Sequence, residues 1–474
     1  MGKYLLAAST LIAATPVWAA NASNPPGDTK QPVQLAAAST SAATAPMTDA
    51  ERAEALQELK DLKGRIQSLE SRLGAAPVDV QSVPPLPRPP RDHNLELYGF
   101  VQLDAIQDFN RVDPDWEASL RPSKIPTSAG KFGSDGQSIF SVRQTRLGVK
   151  ANGTLHNKPY EAKFEFDLFG TGDDAGKTHM RIRHMYARWG PILAGQTNTL
   201  FMDGDIAPNS IEYWGPPGMS WLRNPQLRWT FVDQHGWTAA IALEHPADDI
   251  DPGRLRLFDE EIANNIQADE KLPDLTAAVR YGGDWGHVRL AGILRKMGYE
   301  TRGTVDNLPK GHDTGWGLDL TSALKFSPVT LKLGAVYGRG LATYMNDGGM
   351  DLAPNVAVTR DLNGVITLVP SSEAVKLFGL SAFADIQWNK SWSSSLGYSF
   401  DKVDNTNFQD PTAFHSGQYA LVNVLWTPAE GVFTGLELQW GKRKDNDGSD
   451  GHDLRVQYSF HWDFSSKNLW DLVD

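Results

Sequence analysis

Arginine recurs in this chain at alternate positions of short amphipathic stretches, and that spacing has a chemical consequence. In "SVRQTRLGVKA", Leu147 and Val149 share one face while Gln144, Arg146 and Lys150 share the other. "PQLRWTFVD" sets Leu227, Trp229 and Phe231 against Arg228, and "WGHVRLAGILRK" sets Val288, Leu290 and Leu294 against Arg289 and Arg295. "LTAAVRY" adds Arg280 and "VTLKLGAVY" adds Lys332. Side chains alternate along an extended strand, so each stretch gathers its cations on one face. A guanidinium is a planar fork that pairs bidentately with carboxylate or phosphate, and a wall of such groups guides small anions. In "HMRIRHMYARW" the pattern is less clean: Arg181 and Arg183 fall on one face, His184 and Arg188 on the other, and Arg181 and Arg183 are expected inward. Glu161, Glu165, Asp167, Asp319 and Glu437 share the polar faces. The competing reading is that the arginines pair with these acids and set only a transverse field.

Other chemistry finds little support. There is no cysteine, so disulfides, thiolate catalysis and Cys-based zinc sites are excluded, and the eleven histidines show no paired-ligand spacing. "GTGDDAGKT" (170–178) lacks the glycine spacing of a phosphate loop and carries two aspartates where phosphate would sit. "DNDGSDGHD" (445–453) has calcium-like oxygen density, but reads as a solvated hairpin tip. No catalytic set, cofactor or resident metal is expected. A net charge of −12 argues against a general nucleic-acid binder.

The elements that must carry the arginines are strands. "RVQYSFHWDF" (455–464) puts Val456, Tyr458, Phe460, Trp462 and Phe464 on one side and Arg455, Gln457, Ser459, His461 and Asp463 on the other. "AKFEFDLF" alternates Ala162, Phe164, Phe166 and Leu168 with Lys163, Glu165 and Asp167. Lysine and aspartate are costly in a dry core but not in a water-filled barrel. About sixteen such segments run from 95 to 464, and the connections alternate short and long, as in an outer-membrane barrel with tight periplasmic turns. The expected fold is therefore all-β, a transmembrane antiparallel barrel wide enough for an aqueous channel. The long connection 197–225 is the candidate constriction loop, with Asp203, Asp205, Glu212, Tyr213 and Trp214 as its candidate lining and Arg223 closing it.

Ahead of the barrel the chain changes texture four times. Residues 1–20, with Lys3, an apolar core and "VWA", have the parts of a secretory signal. Residues 21–47 are poor in anything to bury and are expected to be disordered. In 48–74, Ala55, Leu59, Leu62, Ile66, Leu69 and Leu73 form an a/d seam, expected as a coiled-coil oligomerisation helix in the periplasm. A Pro-rich linker, 75–94, follows, and residues 465–474 form a C-terminal tail.

Taken together, the heptad segment before a Pro-rich tether, "LYGFVQLDA", "VRQTRLGVKA", "RIRHMYARWG", "GQTNTLFMD" and "IEYWGPPGM…RNPQLRW" resemble the DcaP-like family of outer-membrane porins. The resemblance implies a homotrimer of sixteen-stranded barrels, a periplasmic coiled coil that supports it, and uptake of dicarboxylates such as phthalates or succinate. It also implies a substrate-guiding role for Arg146, Arg223 and Arg228, which lie in the matching stretches. Barrels of this kind usually end on the aromatic of the last strand, whereas here ten residues follow Phe464. The partners implied are further copies of the chain, outer-membrane lipid, lipopolysaccharide and small anionic solutes. A phosphate- or polyphosphate-selective porin, a barrel enzyme and a structural tether are the competing functions.

Overall fold

Alternation of apolar and polar residues at period two leaves each strand one face for hydrocarbon and one for water, and the computed structural model closes such strands into a barrel. It describes residues 93–360 and 366–467, with 57, 60, 61 and 63–65 as a short helical stretch. The chain divides into two units, Met1–Pro87 and Arg88–Asp474. The expected signal, disordered segment and linker, most of the expected coiled coil, and tail residues 468–474 lie outside the described residues.

Sixteen strands form the wall: β1 (Asn94–Asp108), β2 in two pieces (Gln137–Ser141 and Arg146–Leu155), β3 (Lys158–Phe169), β4 (Thr178–Trp189), β5 (Ile192–Asn198), β6 (Arg223–Gln234), β7 (Trp237–Glu244) and β8 (Asp274–Gly283). The second half is β9 (Gly286–Thr301), β10 (Gly311–Phe326), β11 (Val329–Arg339), β12 (Lys376–Gln387), β13 (Trp392–Asp404), β14 (Phe414–Ala429), β15 (Val432–Asp445) and β16 (Asp450–Ser465). Every neighbour is antiparallel, and β16 pairs with β1 from Arg455↔Asp108 to Ser465↔Tyr98, which closes the ring. Closure removes the free edges that hydrocarbon cannot satisfy.

Turns at one end are two to four residues long, and the connections at the other end are mostly longer. The expected turn "NGTLHNK" is shorter than anticipated: β2 runs on to Leu155, and His156 and Asn157, both at positive φ, make the whole turn. The expected strand 138–151 is broken between Ser141 and Arg146, where Thr145 Oγ1 accepts from Gln102 N and the ladder to β1 is interrupted. The long connection after β11 carries its own hairpin, Leu352–Arg360 with Ile366–Ala374.

Loop 199–222 lies inside the barrel and follows the wall around it. Arg289 on β9 donates to the Leu200 and Phe201 carbonyls. Asp203 Oδ2 meets His287 at 2.7 Å and Thr321 at 2.6 Å. Further round, Lys332 Nζ donates to Ala207 O and Asn423 Nδ2 to Asn209 O. Glu437 accepts from Ser210 Oγ at 2.8 Å and Ile211 N at 3.0 Å, while Gln144 and Gln457 both donate to Ile211 O. Gly218 then packs against β12 and β13, its N–H donating to Ser399 Oγ. The apolar interior is built against this loop: Phe201 meets Tyr344 edge-on, and Leu341, Met345, Ala353, Val375 and Leu377 belong to the same cluster.

Two outcomes follow. Leu290 is 49% exposed on the outer face, so Leu290→Arg is expected to cost about 2–4 kcal/mol in equilibrium refolding into vesicles, the lipid-face value. A Cβ on Gly218 would collide with the carbonyl oxygens of Leu380 and Phe400. Gly218→Ala is expected to lower stability by about 1–3 kcal/mol, as overpacking does, and to raise single-channel conductance as the loop lifts from the wall.

Candidate functional site

Four of the candidate arginines meet in one cavity of about 900 Å³, three picked out by strand spacing and Arg223 by its place at the end of the long loop. Arg146 comes from β2, Arg181 and Arg183 from β4, and Arg223 from the first residue of β6. The mixed parity of "HMRIRHMYARW" has a simple cause. A β-bulge in β4 lets Ile182 pair with Phe166 while His184 pairs with Glu165, so the phase slips by one between Arg183 and His184. Arg181 and Arg183 then share the inner face with His184, which bonds Thr197 Oγ1 at 2.9 Å.

Two carboxylates from β3 face this group. Asp167 meets Arg181 and Arg183, each at 2.8 Å, and accepts the Tyr213 hydroxyl at 2.5 Å. Glu165 meets Arg183 at 3.0 Å, Lys163 at 3.1 Å and Arg146 at 3.6 Å, and accepts from Tyr98 at 2.8 Å. Arg223 forms no ion pair with any described residue, and the Nε atoms of Arg223 and Arg146 are buried without a hydrogen-bond partner. Four guanidinium groups against two carboxylates leave positive charge uncompensated in a partly enclosed space, where Coulomb terms exceed their value in bulk water.

Loops complete the cavity. Tyr213 stacks on Phe169 with centroids 3.9 Å apart, and its neighbour Trp214 donates to Asn346 O at 2.5 Å. Glu212 is wholly engaged: its carboxylate accepts from Leu120 N and Gly215 N, and burial pushes it above the usual carboxylate range against the pull of these backbone donors. Spacing missed Arg121, Lys124 and Arg443. Trp116 and Trp214 meet edge-on with centroids 4.8 Å apart, and the Arg121 guanidinium lies against both rings, 4.1 and 4.2 Å from their centroids, while pairing with Asp347 at 2.8 Å. Burial, reinforced by the Arg121 charge, draws the Lys124 ammonium below its ordinary range. The only signal for the first two was "RPSK" (121–124), which has no strand period.

The remaining candidates are placed elsewhere along the wall. Arg228 donates to Gln226 Oε1 and Asn198 O, Lys150 pairs with Glu96 at 3.3 Å, and Arg280 pairs with Asp205 at 2.6 Å. Arg289 holds the inner loop. Arg295 is fully buried among Asp248, Asp274 and Asp351 at 2.9–3.0 Å. Asp203, Asp205 and His287 bring three metal-type donors together, yet His287 and Thr321 already occupy Asp203, and Arg280 occupies Asp205. The loop 170–177 links two strands, with Asp174 held by Lys177 and His179. At the tip before β16, Asp447 accepts from Ser449.

Comparison places this architecture among known channels. In structure the chain is similar to the crystallised outer-membrane channel DcaP of Acinetobacter baumannii, with a TM-score of 0.64 and 23% identity over 79% of this chain and 98% of that one. An anion-selective porin from Comamonas acidovorans also aligns, at 12% identity over 79% of this chain and all of that one, with a TM-score of 0.48. No curated protein sequence matches. The model of the DcaP outer membrane protein family matches residues 87–464, the whole barrel. A closed sixteen-stranded barrel, a loop folded against its inner wall and that match over most of the chain lead to one conclusion: the protein belongs to the DcaP family of outer-membrane channels.

Proposed function

We propose that the protein is an anion-selective channel that passes small dicarboxylates, working as a homo-oligomer, with three copies expected, in outer-membrane lipid and lipopolysaccharide. The observation that carries this reading is the charge count in the cavity. Glu165 and Asp167 offset two of the four guanidinium groups, and Arg223 has no acid of its own. A dianion of small volume supplies the missing charge, and each carboxylate presents two oxygens to a planar fork. Water in the lumen keeps the association weak enough for release. The aromatic wall of Tyr213, Trp214 and Trp221 gives the carbon skeleton an apolar side to slide along. A polyphosphate channel is less well supported, because Lys124 is the one lysine among the seven cations that line the cavity.

Planar-bilayer recording in a salt gradient tests the proposal. The reversal potential is expected on the anion side, with current blocked by millimolar succinate. Arg223→Ala removes an unshared charge, and the half-blocking concentration is expected to rise about tenfold or more, the usual weight of a charge-assisted hydrogen bond. Cation selectivity, or block unchanged in Arg223→Ala, contradicts it.

A further inference from the structure

Four lysines gather on one sector of the outer wall, where they take no part in the pore. On β13, Leu396, Tyr398 and Phe400 alternate outward, and the same phase brings out Lys402. On β15, Leu436, Leu438 and Trp440 are followed in phase by Lys442 and Lys444, and on β12 Lys376 precedes the exposed Phe378 and Leu380. Antiparallel pairing sets these cations side by side. Lys402 is level with Ser416 of β14, and Ser416 is level with Lys444. One outward position lower, Phe400, Gln418, Lys442 and His452 share a row across β13–β16. Neighbouring strands lie ~4.8 Å apart, so the Lys402 and Lys444 backbones are about 10 Å apart and their side chains can reach a common point.

Their height matches a lipid headgroup. Trp392 and Trp426, both exposed, pair at the turn end of β13 and β14. Lys402 and Ser416 pair ten residues further along each strand (402 − 392 = 10; 426 − 416 = 10). A rise of ~3.3 Å per residue at a tilt of ~40° makes that about 25 Å along the membrane normal, the depth of the apolar band. The lysines therefore stand where hydrocarbon gives way to headgroups. They do so at the end with the longer connections, which faces the cell surface in barrels of this kind.

Acids are too few here to neutralise them. Lys442 meets Asp450 at 2.9 Å and Lys402 meets Asp404 at 3.9 Å, while Lys376 and Lys444 form no ion pair with any described residue. Four ammonium groups against two carboxylates leave two positive charges (4 − 2 = 2). Asp447, on the turn beyond, accepts from Ser449. Towards the same end of β1, β3, β4, β7 and β8 the outward positions are Gln107, Leu168, Met180, Leu243 and Leu275, none of them charged. Lysines that only lift their ammonium groups out of hydrocarbon would be spread round the rim. These are confined to one sector.

We infer that the outer face of β12–β15 is a binding site for lipopolysaccharide, in which Lys402, Lys442 and Lys444 hold a phosphate of its glucosamine headgroup. Its acyl chains then lie along the exposed Phe378, Leu380 and Tyr398. An ammonium is a compact charge with three rotatable donors, suited to a tetrahedral phosphate. Free phosphate would gain nothing from the apolar surface below, so the lipid is the occupant. The inference takes the outer-membrane setting as given and does not depend on which solute the channel passes.

Native mass spectrometry of the full-length protein, released from detergent after titration with deep-rough lipopolysaccharide, reads the site directly. Affinity is expected to fall about tenfold or more in the variant carrying Lys402→Gln, Lys442→Gln and Lys444→Gln, as loss of charge-assisted hydrogen bonds brings. Wild-type protein is expected to lose as much affinity when the lipid is dephosphorylated. Lys444→Gln, which breaks no ion pair, is expected to fall part of the way and decides the matter if the triple variant does not fold. Lys296→Gln on β9, an exposed lysine with Thr314 opposite it, is expected to bind as wild type does. Planar-bilayer conductance unchanged in each variant shows that barrel and pore are intact. Affinity unchanged in the lysine variants, or lowered equally in Lys296→Gln, overturns the site. Phosphatidylglycerol binding as tightly through the same lysines overturns lipopolysaccharide as the occupant.

Discussion

Hydrocarbon offers no hydrogen bonds, and almost everything in this structure follows from that. Each backbone donor and acceptor in the wall must find a partner in a neighbouring strand, so the strands close on themselves. Once the ring is closed, period-two alternation sends every second side chain into water, and polar groups that no dry core could hold become ordinary. Arg455, Gln457, Ser459 and His461 sit inward between the exposed Tyr458, Phe460 and Trp462 for this reason.

Inside the ring the constraint changes from hydrogen bonding to charge. Most inward cations are matched by acids or carbonyls: Arg295 by three aspartates, Arg455 by Asp108, Arg289 by the loop backbone. These pairs fix loops against the wall and leave no charge to offer a solute. The group of Arg146, Arg181, Arg183 and Arg223 differs because its acids are too few. Arg121, held against the touching rings of Trp116 and Trp214 and by Asp347, sits at the edge of the same cavity and brings loop 109–136 to it. The proposed selectivity comes from where neutralisation stops.

Barrel and strand parity were legible because they rest on a period of two and on alternating connection length, both written locally in the sequence, whereas length alone left 197–225 one candidate among several long loops. Parity even reached the right residues on β4, although the bulge that reconciles Arg183 with His184 leaves no local mark beyond the clash of phases. Which arginines stand together was not legible. Arg146 and Arg223 are 77 residues apart in sequence (223 − 146 = 77), and their meeting depends on how β2–β6 wrap around the cavity. Arg289 and Arg295 look like Arg146 in sequence, yet their partners, the Leu200 and Phe201 carbonyls and Asp248, come from loops whose paths no spacing reveals. Arg121 had no periodic context at all.

The proposed channel depends on uncompensated guanidinium charge holding a dianion in this cavity. This dependence is tested most directly by diffracting crystals of the protein soaked with bromosuccinate, recording the bromine anomalous signal. A single strong peak is expected inside the barrel, with carboxylate density between Arg223 and Arg146 and none in crystals of Arg223→Ala. A cavity holding only water, with bromine elsewhere on the molecule, contradicts it.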